Sequence, residues 1–193
     1  MFKDLKPTDF ILTLARSLFR YEEIQIFFMD LSKIDSRAIK HQPNSEIIKG
    51  DIKDLDQYKQ NLTVIPWEMR CHLIDNVKDF IIYQDEGIIQ HISWVYYKDN
   101  PNRLIRLYED DAEIKYCLTF EEYRGRGIYP QVLKYIVDDL CRKGFKRVFI
   151  CVRSDNMQSI RGIQKAGFKY LDTICLKKMF GVQVSKRYSF KEF

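Results

Sequence analysis

Residues 112–130, AEIKYCLTFEEYRGRGIYP, constrain what this chain can fold into more than any other stretch. The run 112–120 reads as a strand, Gly125 and Gly127 interrupt it, and Pro130 suits the first turn of a helix, where a missing N–H costs nothing. A strand that turns into a helix through two glycines leaves the first helical amides without intrahelical partners, beside the positive end of the helix dipole. Phosphate suits such a site, and Arg124 and Arg126 add forked, charge-assisted donors. No Lys-Ser/Thr follows the glycines and no GxGxxG spacing occurs, so neither the P-loop nor the dinucleotide fingerprint is present. On spacing alone, a tight strand-to-helix turn with solvated arginines stays open as the other reading.

The flanking pattern places this loop in a mixed α/β chain. FILTLARSLFR (10–20) has helical spacing, and YEEIQIFFMDL (21–31) reads as a strand. HQPNS (41–45) is a turn cluster, followed by a short strand that runs into a helix near Ile52. Pro66 opens an amphipathic helix whose apolar face would hold Met69, Leu73, Ile74 and Val77. Two strands around Asp85-Glu86-Gly87 form a hairpin, and RLIRLY (103–108) is expected to extend the sheet before the strand at 112–120. After the loop come a helix over 129–143, a strand over 147–152, a helix over 156–166 stopped by Gly167, and a terminal hairpin through MFG. Antiparallel strands followed by strand-helix-strand-helix-strand describe an α+β mixed sheet with flanking helices.

Charge sharpens the reading of the loop. Residues 1–120 hold 16 Lys and Arg against 20 Asp and Glu, a net of −4, whereas residues 121–193 hold 16 against 7, a net of +9. The basic part begins at the loop, which suggests a polyanionic partner or, equally, a solvated basic surface. Five scattered cysteines without CxxC pairs point to reduced thiols and a cytoplasmic protein, and three isolated histidines give no metal site. No apolar run is long enough to span a membrane, and no nucleic-acid motif accompanies the basic half.

AEIKYCLTFEEYRGRGI, the strand RVFICV and then NMQSIRGIQKAGF together resemble the core of the GNAT superfamily of acyl-CoA-dependent N-acetyltransferases. Arg124 to Ile128 match its (Q/R)xxGx(G/A) loop, and Asn156, Ser159, Gly167 and Phe168 match its Asn-x-x-(Ala/Ser) helix ending in Gly-Phe. With the upstream order of elements the pattern spans roughly residues 45–193, leaving residues 1–44 as a helix-strand extension packed on the core. The extension could cover the acceptor groove, make a homodimer contact, or do neither.

The resemblance implies a GNAT-like fold with a splayed central strand pair, 113–120 and 147–152, that receives acetyl-CoA or another acyl-CoA without metal. Backbone amides of Arg126, Gly127, Ile128 and Tyr129 would cradle the diphosphate, with Arg124 and Gly125 also on the cofactor. Leu118, Thr119 and Asn156 would hold the pantetheine arm and thioester. It further implies transfer to a primary amine of a small molecule or peptide, with Glu113 as general base; in place of the family's usual acid, Ser159 (as acid or thiol contact), Tyr129 or water could serve the leaving thiolate, or it could leave unprotonated. A strand-end charge is the plainer role for Glu113. Two departures stand out: Ile163 occupies the position where the family commonly has an acidic Tyr, and Tyr129 stands where it prefers Gly or Ala. A catalytically silent acyl-CoA-binding module is therefore the second reading. Cys117 and Cys151 are read as structural thiols rather than acyl carriers, and Trp94, Tyr96, Tyr97, Phe27, Phe28 and Tyr21 as core or acceptor-pocket aromatics.

Overall fold

The structure, a computed structural model, describes residues 19–34, 46–60, 62–179 and 182–188. The helix expected over 10–20 and the turn at 41–45 lie outside or largely outside these residues. Among the described residues, eight strands form one sheet: β1 (Phe19–Asp30), β2 (Ile47–Lys49), β3 (Phe80–Asp85), β4 (Ile88–Tyr96), β5 (Asp111–Thr119), β6 (Arg147–Arg153), β7 (Lys169–Met179) and β8 (Val182–Tyr188). Their spatial order is β2-β3-β4-β5-β6-β1-β7-β8. β5 and β6 run parallel, and every other described neighbour pair is antiparallel. A mixed sheet with flanking helices is thus present, as the order of elements predicts.

The β3–β4 hairpin turns at Glu86 and Gly87, both in the left-handed region, which matches the twist of a two-residue hairpin. β1, within the stretch read as an extension, is integral to the sheet: Ile24–Asp30 pair with β6 and Phe19–Phe28 with β7. It fills the slot between the strands that flank the last helix.

Among the described residues, four α-helices accompany the sheet: α1 (Leu55–Lys59), α2 (Cys71–Asp75), α3 (Ile128–Arg142) and α4 (Met157–Lys165). α3 buries Val132, Leu133, Ile136, Val137 and Leu140, spaced by three and four residues, against Val95, Ala112, Ile114, Val148 and Ile150. Ile160 and Ile163 of α4 join this core. The opposite face of the sheet carries two further clusters. In one, Leu55, Met69, Cys71 and Val77 pack on Phe80, Ile82, Ile92, Trp94 and Tyr96; in the other, Ile105 and Leu107 pack on Ile24, Ile26, Phe149, Ile174 and Leu176.

Two local expectations change. The segment after Pro66 is a short 3-10 turn, Trp67–Arg70, followed by α2, and ends at Asn76 in the left-handed conformation. The change of helical pitch rotates the buried face, so Leu73 and Ile74 are exposed whereas Cys71 and Asp75 are buried. RLIRLY forms no strand; Ile105 and Leu107 instead lie over the lower core as part of a covering loop.

Candidate active site

The site begins where the parallel pair separates. Pairing of β5 with β6 runs from Asp111↔Arg147 to Ile114↔Ile150 and stops there, although β5 continues to Thr119 and β6 to Arg153. At the same level β5 holds one extra residue relative to β4, between the pairs Ile92↔Leu118 and Trp94↔Lys115. Tyr116 takes the bulge in the left-handed region at φ 51°, a conformation that costs a non-glycine residue on the order of 1 kcal/mol. The bulge brings Tyr116 to the face of α1 and α2, beside Lys115, and leaves Cys117 on the face of α3.

On the α3 face the separated strands open onto a cavity of about 640 Å³. Leu118 and Thr119 of β5, Arg124, Gly125 and Gly127 of the loop, and Ile128 and Tyr129 of α3 line one side. Asn156 and Ser159 at the start of α4 line the other. The N-cap of α3 is Gly127 at φ 77°, and no side chain caps the helix and no acid sits in its first turn. Pro130 has no amide, so Ile128 and Tyr129 supply the helix-start donors.

Individual side chains are more specialised than their spacing suggests. Arg124 Nε donates to the Thr119 carbonyl at 3.1 Å and still lines the cavity, so it ties the loop to the end of β5. Arg126 does not line the cavity: its Nη2 donates to the Glu122 carbonyl, and its guanidinium lies over the Tyr123 ring. Asn156 Oδ1 accepts the Ser159 amide at 3.1 Å as the N-cap of α4, so its side chain can serve a ligand through the Nδ2 donor.

Tyr129 points into the protein. Its ring stacks on His91 at 5.5 Å and fills the space above Gly162, where an added Cβ would lie 2.7 Å from Tyr129 Cδ1. The large residue at 129 is thus matched by the absent side chain at 162. Its hydroxyl hydrogen-bonds with the Cys117 thiol, and burial holds its pKa well above the usual phenol value. Burial also pushes the Cys117 thiol up to about 11, against hydrogen bonds from Ser93 and Tyr129. His91 lies between Thr119 Oγ1 and Ser93 Oγ, each at 2.7 Å, and burial lowers its pKa to about 3. A neutral imidazole therefore braces the floor of the cavity.

Among the described residues, three cations line this space, Arg124, Arg161 and Lys165, and no acid does. Arg161 and Lys165 were not singled out from the sequence. With Gln158 and Gly162 they form a 158, 161, 162, 165 stripe on α4, opposite Ile160 and Ile163, so helical periodicity held the signal. Ile163 is fully buried in the core and offers no polar atom.

Glu113 stands apart from the cavity. It is fully buried, directly across from Tyr96 on β4 and Phe149 on β6, on the face of α1 and α2. Trp94, Tyr96 and Phe27 are core, Phe28 and Tyr97 are half-buried, and Tyr21 is 71% exposed, too open to line a pocket. Among the described residues, no group of three or more His, Cys, Asp or Glu is placed to hold a metal ion. Nor is any described helix long and apolar enough to cross a membrane.

A mixed sheet whose parallel pair separates above an uncapped helix start, lined by cations, defines the class of domain. The family described as Acetyltransferase (GNAT) domain matches residues 34–169, and the chain belongs to that family. Among solved structures, it is similar to a GNAT-family acetyltransferase from Colwellia psychrerythraea, with a TM-score of 0.57 and 13% identity over 88% of this chain and 60% of that one. A GCN5-related N-acetyltransferase from Sphaerobacter thermophilus gives a TM-score of 0.54 and 13% identity, covering 89% of this chain and 56% of the other. The glucosamine N-acetyltransferase region of a fungal multi-domain β-N-acetylglucosaminidase gives 0.58 and 13%, covering 91% and 23%. The chain therefore spans less than two thirds of the length of each of these structures. No curated protein matches the sequence significantly.

Proposed function

We propose that the protein transfers an acetyl or related acyl group from acyl-CoA to a primary amine by direct attack. The observation that carries this reading is the cavity itself: separated strands, an uncapped helix start at Gly127 and a lining of three cations without an acid. Its size lies within the usual range for small-molecule and cofactor sites, roughly 300–1,000 Å³. The amides of Ile128 and Tyr129, with Arg124, Arg161 and Lys165, would hold the diphosphate by charge-assisted hydrogen bonds. The unpaired stretch of β5 around Leu118 and Thr119, with Asn156 Nδ2, would hold the pantetheine arm. When bound, the thioester supplies an acyl carbon open to attack by an amine nitrogen.

Attack requires a neutral nitrogen, yet an alkylamine has a pKa near about 10.4, so a base must remove a proton. Glu113, on the face of β5 away from the cavity, takes that role in the proposal. Direct attack is favoured over an acyl-cysteine route because the Cys117 thiol, at about 11, is a poor nucleophile at neutral pH. The departing thiolate needs no dedicated acid, since thiols near pKa 8.5 are adequate leaving groups. The five cysteines are free, which supports a reducing, cytoplasmic setting.

Binding without turnover is the second reading, favoured by Ile163 in the core and by the complete burial of Glu113. Glu113→Gln separates the two. Amine-dependent release of free thiol from acetyl-CoA is expected to fall by about 10²–10⁴-fold, with CoA affinity unchanged. Saturable CoA binding with no thiol release by the wild-type chain, across a panel of amines, would leave only the binding module.

A further inference from the structure

The face of β5 away from the cavity holds a second charged residue, Lys115, only 8% exposed. Its Nζ lies 4.9 Å from the ring centroid of Tyr96 and 4.8 Å from that of Tyr116, and donates to the Asn102 carbonyl. The two rings meet edge-on at 5.8 Å and 72°, so the ammonium sits between aromatic surfaces. Asp75, 2% exposed, closes the chamber from below, accepting from Tyr96 Oη at 2.6 Å and from the Asn102 side-chain amide. Trp67, half exposed, packs edge-on against Tyr116 at 4.4 Å and forms the outer wall. Burial and then the Asp75 carboxylate push the Tyr116 phenol up to about 12, so both rings stay neutral π surfaces at physiological pH.

This chamber is built for a cation on a narrow stem. Aromatic faces attract an ammonium more strongly once it is desolvated, and a carboxylate nearby adds to the attraction. The left-handed Tyr116 is what brings its ring to the same face as the neighbouring Lys115. Tyr116 bounds the chamber and Cys117, the next residue, lines the cavity, so the two spaces lie on opposite faces of the same strand at the bulge.

We infer that the Tyr96–Tyr116–Asp75 chamber is the seat of the acceptor's primary ammonium group, and that Lys115 occupies it as an internal stand-in when no acceptor is bound. The inference rests on the acyltransferase reading and narrows its substrate class to primary amines on an unbranched methylene stem. It also makes the resting site self-occluded, with exposed Asn102 as the cover an acceptor displaces.

Lys115→Ala empties the chamber, and n-butylammonium ion, added without any CoA, is the probe. Calorimetric titration is expected to show saturable binding at least about tenfold tighter than to the wild-type chain, reversed by adding Tyr116→Leu. Lys115→Met keeps the volume without the charge and carries the test if Lys115→Ala does not fold. In acetyl transfer its KM for n-butylamine is expected to fall about tenfold, with kcat little changed, because the amine displaces a neutral thioether. Equal ion binding by wild type and Lys115→Ala, or an unchanged KM in Lys115→Met, would overturn the assignment. Thiol release with amines but no ion uptake by Lys115→Ala would sink this inference alone. Ion uptake without thiol release in any variant would sink the acyltransferase reading, and with it the acceptor role of the chamber.

Discussion

On the α3 side of β5, space for a ligand is kept open by backbone: Gly127 starts the helix uncapped, Gly162 yields its side-chain volume to Tyr129, and the lining charges are all positive. On the other side the corresponding space is full, with Lys115, Asp75 and Glu113 buried among Tyr96, Tyr116 and Phe149. One side lines open space with cations and the start of a helix, whereas the other buries its charged side chains among aromatic rings. The contrast teaches that a single bulged strand can offer a ready site on one face and a guarded one on the other. The bulge at Tyr116 is the hinge of that difference.

The guarded side should be the more sensitive to substitution. Asp75→Ala strands the Tyr96 hydroxyl and the Asn102 amide, and a loss of about 3 kcal/mol in urea-unfolding stability is expected. A loss below about 0.5 kcal/mol would mean that water replaces the carboxylate and the chamber is not closed.

On the open side the expected loss is steric. Gly162→Ala drives a Cβ into the Tyr129 ring and is expected to cost about 2 kcal/mol. In Tyr129→Ala the same change should cost much less, giving a coupling energy of about 1 kcal/mol or more in a double-mutant cycle. Simple additivity would show that the two positions do not share the space.

A further effect, graded by pH, comes from His91 beneath the cavity. Its folded pKa, about 3, lies below the unfolded value near 6.5, so protons bind preferentially to the unfolded chain between those values. The associated stability is fully present above pH 6.5 and is lost as pH falls, by about 1.4 kcal/mol per unit within that window. His91→Gln should flatten this part of the stability profile between pH 6.5 and 5; identical slopes in both proteins would assign the loss to other groups.

The open side was largely legible in the sequence because its determinants are local. Gly125, Gly127, Pro130, Asn156 and the glycine after the last helix fall within about 50 residues and mark turns, caps and helix starts. Arg161 and Lys165 are legible only when their common helix face is set against the loop, which lies more than 30 residues away in sequence. The guarded side was not legible. Tyr116 carries no glycine to announce a left-handed bulge, and Asp75 faces inward only because a 3-10 turn shifts the phase of α2. Residues 103–108 have strand-like alternation, yet their apolar side chains serve a covering loop. The strand at 19–30 could be read from its residues, but its place between β6 and β7 depends on pairing across more than 100 residues.

The central claim is that the cavity at the separated strands binds the diphosphate of coenzyme A. Isothermal titration of the full chain with coenzyme A tests it, beside the Arg161→Ala/Lys165→Ala double variant. Saturable one-to-one binding by the wild-type chain is expected, weakened by salt and about 100-fold weaker in the variant at unchanged folding stability. No saturable binding, or equal affinity in the two proteins, would contradict the claim.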